Sequence, residues 1–197
     1  MKSKIMYLFE QAGLLNDKNN QILEFGITRL VNGIMDWMFA IVCAAIMGNI
    51  VVGIVFELGY IILRIYAGGY HAGNKKRCFY LTYASTLLSI AGTFYIPFST
   101  KIICGVILIA DIIIILTVPV ESANKPLNKI EHKVFRRNAI CIAFMESGIC
   151  LVFLGVNMIL YARAVCVVMI LVTIGLVAEI AKNIYSKKKR NKTWHIL

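Results

Sequence analysis

Hydrophobic positions in this chain run in long blocks rather than in alternation. Residues 31–66 form one apolar run in which Asp36 and Glu57 are embedded. As a single helix that run would be roughly 54 Å long at 1.5 Å per residue, against a bilayer core of about 30 Å. It therefore predicts two short spans joined by a tight turn near Gly48-Asn49. Four further apolar segments follow, near 78–97, 101–118, 138–160 and 163–181. Pro97 and Ser99 separate the first two, and Tyr161-Ala162-Arg163 separates the last two. A polar loop from Pro119 to Arg137 divides the pairs. Ahead of the first run, Ile5, Leu8, Phe9 and Ala12, and then Ile22, Leu23, Gly26, Ile27 and Leu30, recur at helical spacing. Residues 1–30 thus predict an amphipathic segment, lying either at the membrane surface or on the rest of the protein. No cleavable signal peptide is expected. The fold class is all-α: a polytopic membrane protein with about six transmembrane helices and amphipathic N-terminal helices. It would divide into the segment 1–30, a membrane domain 31–181 and a basic tail 182–197.

Composition agrees with a membrane protein. Hydrophobic residues make up 59% of the 197 residues and charged residues 16%, where soluble domains have about 45–50% and about 25%. Intrinsic disorder lies at the opposite compositional pole.

Charge adds an orientation. The net charge is +11, and all of the 21 Lys and Arg except Lys101 and Arg163 fall in four segments: before the first span, between the second and third, in 119–137, and after the last span. Six spans put these four segments on one face. The positive-inside rule makes that face of the cell membrane cytoplasmic, with both termini and the 64–78 segment on the cytoplasmic side. The cations would contact anionic lipid and attract an acidic peptide segment. Nucleic acid is disfavoured, because the cations are dispersed without aromatic interleaving.

The six cysteines include no CxxC pair. Cys43, Cys104, Cys141, Cys150 and Cys166 lie inside apolar runs, where a free Cys behaves as a small hydrophobe. Cys78 differs: it follows Asn74-Lys75-Lys76-Arg77 at the border of an apolar run. The same segment, starting at Arg64, holds Gly68, Gly69 and His71. A cysteine nucleophile acts as its thiolate and needs a base, and imidazole titrates near working pH. In a continuous helix, residues 71 and 78 would stand about 10.5 Å apart along the axis, too far for proton transfer. The glycines at 68, 69 and 73 argue against continuous helix, so a bend near Gly73-Asn74 could return the imidazole to the start of the third span. Asn74 would cap that helix. Cys78 would then sit in its first turn, where the helix dipole and neighbouring cations favour a thiolate. The plainer alternative is a loop histidine and a packing cysteine. A metal site is disfavoured for want of convergent ligands, and no cofactor is expected.

The string Arg64…Gly68-Gly69-Tyr70-His71…Cys78, together with the chain's size, its hydropathy pattern and the loop Pro119 to Pro126, resembles the accessory gene regulator B (AgrB) family. That resemblance implies an integral-membrane cysteine endopeptidase. Such an enzyme would cleave a quorum-sensing precursor peptide and promote its cyclisation to a thiolactone or lactone autoinducer. Carried over by position, Cys78 would be the nucleophile and His71 the general base, with Arg64, Gly68 and Gly69 supporting them. Lys75, Lys76, Arg77, Lys125 and Lys129 would be the cations nearest an acidic part of the precursor. The precursor would carry an amphipathic leader and an acidic C-terminal part, and the resemblance also implies a homodimer.

Asp36, Glu57, Asp111 and Glu146 lie within apolar runs, where carboxylates are costly and usually paired or functional. They support the alternative function, a small peptide transporter or exporter. A non-catalytic membrane adaptor is a third possibility. His132 and His195 lie in basic polar segments and are expected to be solvated.

Overall fold

The computed structural model describes residues 20–70, 72, 74–121 and 127–194. The periodicity at Ile5–Ala12 and the residues His71, Gly73, Lys125 and His195 lie outside the described residues. Six long helices are present among the described residues: α1 (Asn20–Ile46), α2 (Ile50–Ala67), α3 (Lys75–Tyr95), α4 (Thr100–Thr117), α5 (Lys129–Gly155) and α6 (Ile159–Trp194). Five of them, all but α3, are long and apolar enough to cross a membrane. The protein is an all-α, polytopic membrane protein.

α3 accounts for the difference from the expected six. Its 21 residues give about 31 Å of helix, which is enough to span. Its apolarity is diluted by hydroxyl side chains that turn back onto their own helix: Thr82 Oγ1 donates to Cys78 O at 3.0 Å, Ser85 Oγ to Thr82 O at 2.9 Å and Thr93 Oγ1 to Ser89 O at 3.0 Å.

By compactness the chain divides after Phe39. The first unit, described from Asn20, is helical, and α1 runs on through residue 30. The second unit, 40–197, is a bundle built around α6, which packs against α2, α3, α4 and α5. About half of the apolar stretch of α6 is buried, against a third or less for the other spans. Ile103 and Ile107 of α4, Cys150 of α5, and Ala162, Val165 and Cys166 of α6 form one core cluster.

The turn at Met47–Asn49 falls where the 31–66 run was expected to fold back. Gly48 has φ 102°, and Asn49 caps α2, its side chain accepting from Val51 N at 3.0 Å. A Cβ on Gly53 would stand 2.8 Å from Ala40 O, so the small residues Ala40, Ala44 and Gly53 let the end of α1 approach α2 closely.

Two other boundaries differ from expectation. The last hairpin turns at Val156–Met158 rather than at Tyr161–Arg163. Asn157 takes φ 61°, a left-handed conformation that Asn tolerates, and Arg163 falls inside α6. The 119–137 loop is also shorter than it reads. Asn128 accepts from Ile130 N and Glu131 N while Glu131 Oε2 accepts from Asn128 N. This capping box starts α5 at Lys129, so Lys129 to Arg137 is helical.

Candidate functional site

The site is built from the last turn of α2 outward. Arg64 lies in that turn. Its guanidinium reaches forward along the chain, Nη1 donating to Gly68 O and Nη2 to Tyr70 O at 2.7 Å. These charge-assisted bonds hold residues 68–70 in an extended strap that ends immediately before His71.

Both glycines are required by that path. Gly69 is buried with φ 138°, and a Cβ there would fall 1.4 Å from Arg64 Nη1. Gly68 has φ 83°, and a Cβ there would fall 2.4 Å from Val120 O. The second approach is between two backbones: Gly68 and Val120 form an isolated parallel bridge, in which Val120 N donates to Ala67 O at 3.0 Å. The segment after α4 thus lies along the strap. It is pinned by Arg136, which donates to Ile115 O at 3.1 Å and Val118 O at 3.4 Å, and by Asn183 Nδ2, which donates to Glu121 O at 2.9 Å.

α6 forms the floor. A Cβ on Gly175 would stand 3.8 Å from Tyr70 N and 3.9 Å from Arg64 Nη1. Seven residues on, Lys182 Nζ lies 5.3 Å from the Tyr70 ring centroid and 3.1 Å from both carboxylate oxygens of Glu179. Glu179 is wholly buried.

Beyond the strap, Asn74 caps α3 as expected, its side chain accepting from Lys76 N at 3.0 Å. Cys78 N donates to Asn74 O at 3.0 Å, the first bond of the helical ladder. Cys78 is reduced and half-buried, and Lys76 and Arg77 beside it are exposed. Lys129 is exposed at the start of α5.

Arg64, Gly68 and Gly69 thus come together directly, and Cys78 opens the next helix. Glu179 belongs to the same neighbourhood and was missed among the embedded carboxylates, although it interrupts the apolar run 163–181 just as Asp111 interrupts its own. Asp111 and Glu146 lie elsewhere in the bundle. Ser147 Oγ donates to Asp111 Oδ2 at 2.7 Å. Asp111 Oδ1 and both Glu146 carboxylate oxygens have no hydrogen-bond partner among the described residues, so the pairing expected of Glu146 is not found. No group of three or more His, Cys, Asp or Glu able to hold a metal occurs among the described residues.

A family model described as accessory gene regulator B matches residues 2–176. No curated protein and no solved structure matches the chain significantly.

Proposed function

The chain belongs to the accessory gene regulator B family, which implies a role in processing a quorum-sensing peptide, and from that premise we propose that it is a membrane cysteine endopeptidase and peptide cyclase. The observation that carries this reading is the Arg64-clamped strap, which fixes the chain up to the residue before His71, followed by Cys78 in the first turn of α3.

The chemistry follows from these groups. The Cys78 thiolate attacks a peptide carbonyl of the precursor. The tetrahedral intermediate collapses, the C–N bond breaks, and the leaving amine takes its proton from the His71 imidazolium. The C-terminal part of the precursor departs and the N-terminal part remains as a thioester on Cys78. A Cys or Ser of the bound peptide then gives its proton to His71 and attacks the thioester carbonyl, closing a thiolactone or lactone ring and releasing the Cys78 thiolate. Closure competes with hydrolysis by proximity and by exclusion of water at a lipid-facing site. Arg64 is engaged by the strap carbonyls, so the oxyanion falls to backbone N–H groups at the start of α3.

In this reading α3 crosses the bilayer, and the basic segments, both termini and the site face the cytoplasm. Lys75, Lys76, Arg77, Lys125 and Lys129 attract the acidic part of the precursor, anionic lipids bind the remaining cations, and the protein works as a homodimer. The test is co-expression with a candidate precursor, with mass spectrometry of Cys78. Wild type accumulates an acyl adduct and cleaves, whereas Cys78→Ala and His71→Ala insert normally and do not cleave. Normal cleavage by either variant refutes the enzyme.

One observation favours a second reading as a small peptide exporter: the buried carboxylates Asp111 and Glu146 with their unpartnered oxygens. That reading expects Asp111→Asn or Glu146→Gln to abolish function and Cys78→Ala to be tolerated.

A further inference from the structure

The bundle holds a polar group that the chemistry proposed for Cys78 does not use. Glu146 of α5 and Asp111 of α4 are only 5% and 8% exposed. Ser147 Oγ donates to Asp111 Oδ2 at 2.7 Å, which joins α4 to α5 beside Glu146. Asp111 Oδ1 and both Glu146 carboxylate oxygens make no hydrogen bond among the described residues. The Glu146 carboxylate is turned toward α2 and α6: a Cβ on Gly59 would stand 3.5 Å from Glu146 Oε1 and 3.5 Å from Val168 Cγ1. The Asp111 charge acts on that carboxylate as well. Four helices thus meet around three bare acceptor oxygens.

These groups lie at mid-depth. Gly59 and Asp111 are near the centres of α2 and α4, and Glu146 is near the centre of the apolar part of α5. A bare carboxylate there is costly. Gly59 and Val168 offer it no side-chain donor, and the Ser147 hydroxyl is committed to Asp111 Oδ2. What the three oxygens lack is positive charge. Two adjacent carboxylates in a low-dielectric interior do not both stay ionised, so the pair holds one proton and one net negative charge. The proton alone is insufficient: it joins one Glu146 oxygen to Asp111 Oδ1 and leaves the other Glu146 oxygen bare. A divalent ion such as calcium takes about 6–8 oxygen ligands, and no group of three or more His, Cys, Asp or Glu able to hold a metal occurs among the described residues. A single positive charge matches what remains, and mid-membrane contacts between helices are where such ions are held.

The geometry points to a binding site for one monovalent cation of the sodium class between α2, α4, α5 and α6, with Glu146 and Asp111 Oδ1 as its charged ligands. Ser147 orients Asp111 for it, and the absence of a side chain at Gly59 leaves space beside Glu146 Oε1. The site is separate from Cys78 and depends on neither the peptidase nor the exporter reading. An ion there ties four helices together, so its occupancy registers as stability of the bundle.

The experiment uses the full-length protein in detergent. Thermal unfolding is followed at fixed pH and ionic strength while sodium chloride replaces choline chloride. Wild type is expected to gain roughly 5 °C or more, saturating with sodium. Glu146→Gln and Asp111→Asn lose that response. Equilibrium dialysis of wild type with sodium-22 shows one saturable ion per chain, and this measurement decides the matter if the variants do not fold. Absence of saturable sodium-22 binding overturns the inference. A sodium response that survives in both variants overturns it in favour of ions bound elsewhere on the protein. A Tm that follows pH and ignores sodium overturns it in favour of a shared proton alone. A response to magnesium or calcium and none to sodium overturns the monovalent assignment.

Discussion

Gly69→Ala offers the sharpest test of the strap. The new methyl carbon would lie 1.4 Å from Arg64 Nη1 at a φ of 138°, so two penalties arise together. The guanidinium must leave, which forfeits its bonds to Gly68 O and Tyr70 O; hydrogen bonds to charged groups contribute about 1.5–3 kcal/mol each. If the backbone keeps its path, an L-residue in that region adds about 1–3 kcal/mol of strain. If the backbone relaxes instead, the strain vanishes but the clamp is still lost. The lower bound is therefore the clamp alone, about 3 kcal/mol, which corresponds to roughly a hundredfold loss in the rate that depends on the strap. The bundle should be spared, because its core lies at Ile103, Ile107, Cys150, Ala162, Val165 and Cys166, away from the strap residues. Precursor cleavage is the assay, with helical content and membrane insertion as controls.

A double-mutant cycle with Arg64→Met makes the reasoning refutable. Both substitutions break one clamp, so the double variant should be scarcely worse than either single one. Additive losses, or a Gly69→Ala rate within about threefold of wild type, which is less than 1 kcal/mol, would show that the Arg64–strap contact is not what requires the glycine.

Gly68→Ala puts its Cβ 2.4 Å from the backbone oxygen of Val120; the Ala67–Val120 pairing must open, and limited proteolysis should nick the chain near 119–121 while insertion persists. Asn74→Ala removes the cap of α3 at a cost of about 1 kcal/mol, expected as a several-fold slower alkylation of Cys78 with little change in Tm. Gly53→Leu forces the end of α1 away from α2 at Ala40 and Ala44 and should destabilise by about 1–3 kcal/mol, read as a lower Tm in detergent. In sodium-free buffer, Glu146→Leu removes two buried oxygens without hydrogen-bond partners and should stabilise by roughly 1–3 kcal/mol; a lowered Tm there would show that the carboxylate has another partner in the membrane.

The architecture was legible wherever the sequence carries a local physical signal. The turn at Gly48-Asn49 and the cap at Asn74 were readable because one residue supplies the left-handed backbone and another the capping oxygen. The start of α5 was equally readable in principle, since Asn128 and Glu131 have capping-box spacing, but the basic residues after them had drawn 129–137 into a loop. The last hairpin was misplaced because Arg163 looked like a boundary, whereas the turn depends on Asn157 accepting φ 61°. α3 illustrates a different limit. Its hydroxyls count as polar in any composition, yet several of them are satisfied by their own helix.

The site divides along the same line, and the division bears on how it works. Its proposed reactive residues lie within fifteen positions, 64 to 78, so a linear reading could find them. What fixes their conformation comes from far along the chain: Val120 against Gly68, Gly175 and Lys182 against Tyr70, and Asn183 against Glu121. No local pattern announces these partners, because a glycine or an asparagine in α6 reads as ordinary helix sequence. The two sets are also held by different physics. α6 is retained in the bundle by apolar packing with α2, α4 and α5, whereas the strap is retained by a few hydrogen bonds and by close approaches that only glycine permits. Losing a few bonds at the strap leaves the apolar packing intact. Substitutions at Arg64, Gly68 and Gly69 should therefore yield inserted, folded and inactive protein, whereas substitutions in the Ile103–Cys166 core should lose fold and activity together. Fold and activity failing together at Arg64, Gly68 and Gly69 would show that the strap is part of the bundle's stability rather than a device resting on it.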